Sequence, residues 1–415
     1  MTASRLGLRK EIFFGIIVLC IPFLFLELLV RFYAATQVGP RVLLYGTTFS
    51  RHQEQFDPIG AEMRKAQEES TVRFHENARG TYSKYYPNQK LIDRDEFGNK
   101  IDVRINSRGF RGKDFEITKE PDVIRIITLG ASSTFGFKEH DDKTYPRYME
   151  QLLNEALPTL GAKWHGKSIK RFEVINLGVP HLRTEEILSL FVNEGLEINA
   201  DFVTFYEGIN DAARTEPPAT WTEESKQAIK AIPFANHVFR QARSRLLSVA
   251  FIGMLITQYR TDYSDREVQV HRLGKKEHFI ANLQRIQEAC KQKNIKFIIA
   301  NQQATNMEET REKLRGLTYE QEQAIVRKKL SETGRLNGRD VAFLMHKELM
   351  DAEREWAIAA NIPYVDVIDA MDLSRQNLVS WVHLNAAGNR IVASAIAKEI
   401  LKQVAGSEFQ ATQKP

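Results

Sequence analysis

Residues 123–136 read VIRIITLG-ASSTFG: a run from Val123 to Leu129 that is apolar and mostly β-branched, then Gly130-Ala131-Ser132-Ser133-Thr134-Phe135-Gly136. Eight residues of this texture, closed by a glycine, predict a buried strand that ends in a tight turn. Four more runs of the same kind follow: FEVINLG (172–178), DFVTFYEG (201–208), KFIIANQQ (296–303) and YVDVIDA (364–370). Amphipathic stretches lie between them, such as Tyr148–Leu153 and Ile187–Val192, and the last helix follows Asn385 with Val392, Ile396 and Ile400 on one face. Strands alternating with helices predict an α/β fold, with a parallel sheet covered on both faces.

The surrounding chain sets the class. Its 415 residues suit one large α/β domain with attachments, and 43% hydrophobic against 27% charged residues is a globular balance. A net charge of +5, with Lys and Arg interleaved among Asp and Glu, does not favour nucleic acid as a partner. Cys20 and Cys290 are too few for a disulfide framework or a cysteine-rich zinc site. Neither a phosphate-binding glycine loop nor an H-E-x-x-H zinc helix occurs, so no cofactor and no metal are expected.

Residues 12–26, IFFGIIVLCIPFLFL, carry no charge, and after Glu27 the run continues to Val30. About twenty residues at ~1.5 Å each reach roughly across a ~30 Å hydrocarbon core. Arg5, Arg9 and Lys10 precede the run, which places the N-terminus in the cytoplasm and the main domain outside, in the periplasm or exterior. A cleaved signal peptide is the competing reading, but Ala34-Ala35 is a poor cleavage site and the run is long for one. Residues 1–33 are thus read as N-terminus and single-pass membrane anchor, and 34–118 as a connector leading into a small β-rich collar. In that collar Ile101, Val103 and Ile105 alternate with charged residues. The main domain is read over 119–405, with helical insertions at 212–285 and 305–360, and 406–415 as a flexible tail. Within the first insertion, LLSVAFIGMLI (246–256) is too short to span a bilayer and reads as a buried helix, with a lid or membrane-surface helix as the alternative.

In open α/β sheets ligands bind beyond the carboxyl ends of the strands. Beyond the first strand stands Ser132; beyond the second, Gly178-Val179-Pro180-His181; beyond the third, Gly208-Ile209-Asn210-Asp211; beyond the fifth, His383. A serine hydroxyl becomes a useful nucleophile when an imidazole takes its proton. The oxyanion then formed needs fixed donors, for which the Ser132 and Gly178 backbone N–H groups and the Asn210 amide are candidates. Singly each piece has a duller reading as helix cap, turn or structural histidine. Their conjunction, each after a strand and in one order, points to acyl-transfer chemistry. His140 and His181 are expected to line the site edge.

The chain resembles the SGNH (GDSL) hydrolase family over residues 120–400. GASSTFG is similar to its G-D-S-x-T-x-G nucleophile segment, NLGVP to its glycine segment, GIND to its G-x-N-D segment and VHLNAAGN to its histidine segment. RINSRGFRG (104–112), behind the anchor, looks like a membrane-tethered subgroup. The resemblance implies a flavodoxin-like three-layer α/β/α sandwich with strand order 2-1-3-4-5. It also implies Ser132 as nucleophile, Ser132, Gly178 and Asn210 as oxyanion hole, and His383 as base. The implied activity is cleavage of an acyl ester on a small-molecule, lipid or glycan substrate. O-acyl transfer to exported polysaccharide, or binding on the same scaffold without catalysis, are the alternatives. Two positions depart from the family pattern. Ala131 replaces the aspartate beside the nucleophile, and Ser380 stands where the orienting aspartate is expected, three residues before His383. Either a carbonyl or a hydroxyl, such as that of Ser380, orients the imidazole in a Ser-His dyad, or Asp366, Asp369 or Asp372 reaches it from the preceding segment, or the protein is weak or inactive as an enzyme.

Overall fold

The computed structural model describes residues 21–32, 74–76, 81–160, 163–164, 167–213, 263–265, 268, 274–306, 309 and 311–411. The chain divides into two compact units: Met1–Glu62 with Pro217–Asp262, and Met63–Glu216 with Tyr263–Pro415. In the first unit residues 21–32 are helical, with most of their apolar side chains exposed and Glu27 paired with Arg31 at 2.7 Å. Among the described residues no helix is long and apolar enough to cross a membrane. Residues 12–20 of the apolar run, the connector over 34–73 and the apolar piece 246–256 lie outside the described residues.

In the second unit the collar comes first. Strand β1 (Phe74–Glu76) pairs antiparallel with β2 (Ser83–Tyr85), and β3 (Lys90–Arg94) with β4 (Lys100–Arg104). The period of two does what it predicts: Ile101, Val103 and Ile105 are all buried, with Tyr85 and Leu91. Phe135, from the segment after the first core strand, completes this small core.

The main sheet has five strands: β5 (Val123–Gly130), β6 (Arg171–Asn176), β7 (Phe202–Tyr206), β8 (Lys296–Ala300) and β9 (Tyr364–Val365). Their spatial order is β9-β8-β7-β5-β6 and all neighbours are parallel, which is the 2-1-3-4-5 order read from the other edge. Alternation along β5 sends Ile124 and Ile126 to one face and Ile127 and Leu129 to the other. Helix α1 is the short turn Ser132–Phe135. The first face is covered by α2 (Tyr145–Leu160) and the C-terminal helix Ala386–Ala411, which pack on each other. Val392, Ile396 and Ile400 lie in that core, as their spacing requires. The second face is covered by α3 (Thr184–Asn193), Lys275–Gln292 and Gly338–Ala359.

Three expectations are corrected here. YVDVIDA forms a strand only at Tyr364–Val365, because Asp366 accepts from the Asp369 N–H and caps a helix over Val367–Met371. The described parts of 212–285 and 305–360 are not mere insertions, since Lys275–Gln292 and Gly338–Ala359 form one layer of the sandwich. The expected tail from 406 is helical through Ala411.

Candidate active site

The sharp turn at the end of β5 depends on small residues. Gly130 leads into Ala131, whose backbone (φ −108°, ψ −132°) is neither helical nor strand-like, and α1 starts at Ser132. Gly136 ends α1 at φ +92°, a left-handed conformation that favours glycine. Arg111 of the collar holds that end, with its Nη1 directed at the Phe135 and Gly136 carbonyls and its Nη2 donating to the Glu139 carbonyl. Its Nε meets Asp141 at 2.9 Å, and its guanidinium lies 5.1 Å from the Phe135 ring centre. The collar therefore holds the turn that carries Ser132.

Ser132 is 9% exposed, and its Oγ lies 2.8 Å from His383 Nε2. His383 Nδ1 lies 2.6 Å from Ser380 Oγ, and that same oxygen accepts the His383 backbone N–H at 3.2 Å. For Nε2 to accept the Ser132 proton the neutral ring must carry its hydrogen on Nδ1, which then donates to Ser380. Phe137 meets the imidazole edge-on, at 5.5 Å between ring centres. The three aspartates do other work. Asp366 accepts from Asn301 Nδ2 and the Asp369 N–H, and Asp372 accepts the Tyr319 N–H at 2.9 Å. Asp369 is exposed and accepts a helix-end N–H, that of Asp372 going to its carbonyl. Ser380 is the residue that meets the ring.

The remaining elements assemble around α1. Asn210 Nδ2 donates one amide proton to the Leu182 carbonyl at 2.9 Å. Asp211, beside it, accepts from Thr184 N and Oγ1 at 3.0 and 2.6 Å, so the third-strand loop fastens the second. Ser132 N–H heads α1, where helical N–H groups lack intrahelical acceptors. The Gly178 N–H is instead donated to Asn176 Oδ1 at 2.8 Å. Its glycine identity serves packing, because a Cβ there would collide with the Thr134 and Phe135 backbone. His181 is exposed and left-handed (φ +68°) and acts electrostatically on His383, whereas His140 acts electrostatically on Asp95.

Sequence reading passed over three residues of this region. Lys138, also left-handed (φ +66°), acts electrostatically on His383. Gln302 donates to Ser133 Oγ at 3.1 Å and accepts the Ile209 N–H at 2.9 Å, joining two site loops. Glu207 is buried under Asn210. Gln302 and Glu207 sit at strand ends within KFIIANQQ and DFVTFYEG, where the carboxyl-edge rule pointed; their side-chain direction carried no sequence signal.

Burial, reinforced by repulsion from Lys138 and His181, lowers the His383 pKa to about 4. The imidazole is neutral at pH 7 and available as a base. Because protonation of this ring abolishes its base function, kcat/KM is expected to rise with pH through about 4 and to be level by the ordinary histidine value of 6.5. A pH–rate profile with its acid midpoint near 6.5 would show that the ring is not desolvated as described.

Residues 128–391 match the model of the GDSL-like lipase/acylhydrolase family, which is more than half of the chain, and the protein belongs to that family. Among solved structures, the chain is similar to the lipase/acylhydrolase from Enterococcus faecalis, with 18% identity and a TM-score of 0.36. That match covers 68% of this chain and 97% of the other. It is also similar to Axe2, an acetylxylan esterase from Geobacillus stearothermophilus, with 15% identity and a TM-score of 0.37, over 67% of this chain and 94% of that one. No curated protein matches the chain.

Proposed function

We propose that the protein is a membrane-tethered serine esterase that cleaves an acyl ester on a carbohydrate or lipid through an acyl-enzyme on Ser132. The observation that carries the proposal is the hydrogen-bonded chain Ser132 Oγ–His383 Nε2, His383 Nδ1–Ser380 Oγ at 2.8 and 2.6 Å. Ser132 Oγ attacks the acyl carbonyl as His383 Nε2 takes its proton. The oxyanion is received by the Ser132 N–H and the second amide proton of Asn210, the Gly178 N–H being held by Asn176 Oδ1. His383 then returns the proton to the leaving alcohol, and water activated by the same imidazole releases the acid. The tether is supported by the uncharged run 12–26 and by the exposed apolar side chains over residues 21–32. Glu27, the one acid within residues 12–30, has Arg31 as partner. The basic residues at 5, 9 and 10 support a catalytic domain on the outer side.

The test is incubation of the full chain, in detergent or vesicles, with an O-acetylated oligosaccharide, beside Ser132→Ala. Free acetate that depends on Ser132 is the expected result. Acetyl appearing on an added unacetylated glycan, with little free acetate, would reassign the same acyl-enzyme to O-acyl transfer. Neither product from a folded protein, across sugar and lipid esters, would leave a binding role on a hydrolase scaffold.

A further inference from the structure

The ends of β5 and β7 lie side by side, with Gly130 paired to Tyr206. The next residue on each strand is therefore Ala131, which precedes the nucleophile, and Glu207, which precedes the Gly208-Ile209-Asn210 loop. Glu207 is completely buried. Its Oε1 accepts the Asn210 N–H at 3.1 Å, and the N–H groups of Ala131 and Gly208 face the same carboxyl. Its Oε2 is buried with no hydrogen-bond partner. We infer that Glu207 is a positioning residue that joins the nucleophile turn to the Asn210 loop: it is hydrogen-bonded to the Asn210 N–H and stands beside Ala131 at the paired ends of β5 and β7, where the Ala131 and Gly208 N–H groups act on the same carboxyl. This inference rests on the Ser132 esterase reading.

The geometry also fixes the charge form. An ionised carboxylate with an unpartnered oxygen in a fully buried place is costly, which favours the neutral carboxyl. The groups facing Glu207 agree. Asp211, on the helix Ile209–Ala213, adds like charge; Tyr206 on its own strand end and Tyr145 from α2 are phenols held neutral by burial. His346, from Gly338–Ala359, packs on Gly208 and is neutral above about pH 3. Burial chiefly raises the Glu207 pKa to about 8. Below that pH the carboxyl braces the two loops without adding charge. Above it, an anion sits one residue from the Ser132 N–H, where the reaction itself develops negative charge, and the rate falls.

Both kcat and KM are to be followed against pH on a p-nitrophenyl ester, for the parent, Glu207→Leu and Glu207→Gln. The parent is expected to lose kcat through a midpoint near 8. Glu207→Leu should lower kcat about 10²-fold with little change in KM, the size of effect that misplacement of a reacting group produces. Glu207→Gln keeps a neutral acceptor, so it should rescue kcat at pH 7 and lack the alkaline decline. An alkaline decline unchanged in Glu207→Gln, or parental kcat in a folded Glu207→Leu, would overturn the inference. Should Glu207→Leu not fold, the Glu207→Gln profile decides. Should the parent hydrolyse nothing, the esterase reading fails separately; infrared difference spectra then test Glu207 alone. A protonated-carboxyl band lost as pH passes 8 and missing from Glu207→Gln supports its neutral state, and no such band overturns it.

Discussion

Fluorophosphonate labelling of the protein is expected to disappear in Ser132→Ala and to slow by about 10⁴-fold or more in His383→Ala, the range seen when a nucleophile or its base is removed. The reagent phosphorylates only a hydroxyl whose proton is being taken, and its phosphoryl oxygen needs donors like those that serve an oxyanion. Ser132 Oγ meets the first condition through its 2.8 Å contact with His383 Nε2. Ser133, its neighbour, is a built-in control. Its hydroxyl contacts the Val382 carbonyl and Gln302 Nε2 instead of an imidazole, so it has no base. Labelling that persists in Ser132→Ala would transfer the chemistry to another residue. A folded parent that does not label would remove the activated serine altogether. On the reading of Ser132 and His383 as a unit, the residual ester hydrolysis of the double variant should be no lower than that of Ser132→Ala alone, and a further loss would show a second role for His383.

How far the sequence alone led depended on whether a feature is local. Residues 123–130 are buried at every position, and a β-branched run closed by glycine says so directly. Ser132, Asn210 and His383 were singled out because each comes after a strand, and the carboxyl-edge rule turns that order into a place. The strand order itself came from family resemblance, since no local pattern distinguishes 2-1-3-4-5 from its alternatives. YVDVIDA misled for a local reason. Its apolar spacing suits either element, and the capping power of Asp366 decided between them. Gly178 was read as an oxyanion donor, whereas its N–H goes to Asn176 Oδ1 and its missing Cβ is required by the Thr134–Phe135 backbone behind it, a contact between residues more than forty positions apart. The Arg111 grip on the nucleophile turn and the Glu207 brace were illegible on the same ground. Each depends on where a side chain points across the fold.

Ser380→Ala is expected to lower kcat about 10²-fold while leaving KM nearly unchanged, and the reason lies in what a hydroxyl supplies and what it lacks. Ser380 Oγ receives the Nδ1 proton and the His383 backbone N–H, so it fixes both the tautomer and the tilt of the ring. Loss of that fixing misplaces the base, for which ~10²-fold is the usual scale. A carboxylate in this position does more, because it also stabilises the imidazolium formed in the transition state, and replacing one by an amide can cost about 10⁴-fold. Serine offers no such charge, and burial with the nearby Lys138 and His181 holds the His383 pKa down to about 4. The ring is thus well placed but reluctant to take the proton. Ser380→Asp restores an opposite charge beside Nδ1. It should raise the His383 pKa, move the acid limb of kcat/KM upward from about 4, and raise kcat at pH 7 above that of the parent. An acid limb that stays in place in Ser380→Asp would mean that position 380 does not couple to the imidazole. Unchanged kcat in Ser380→Ala would mean that packing against Phe137 alone orients the ring.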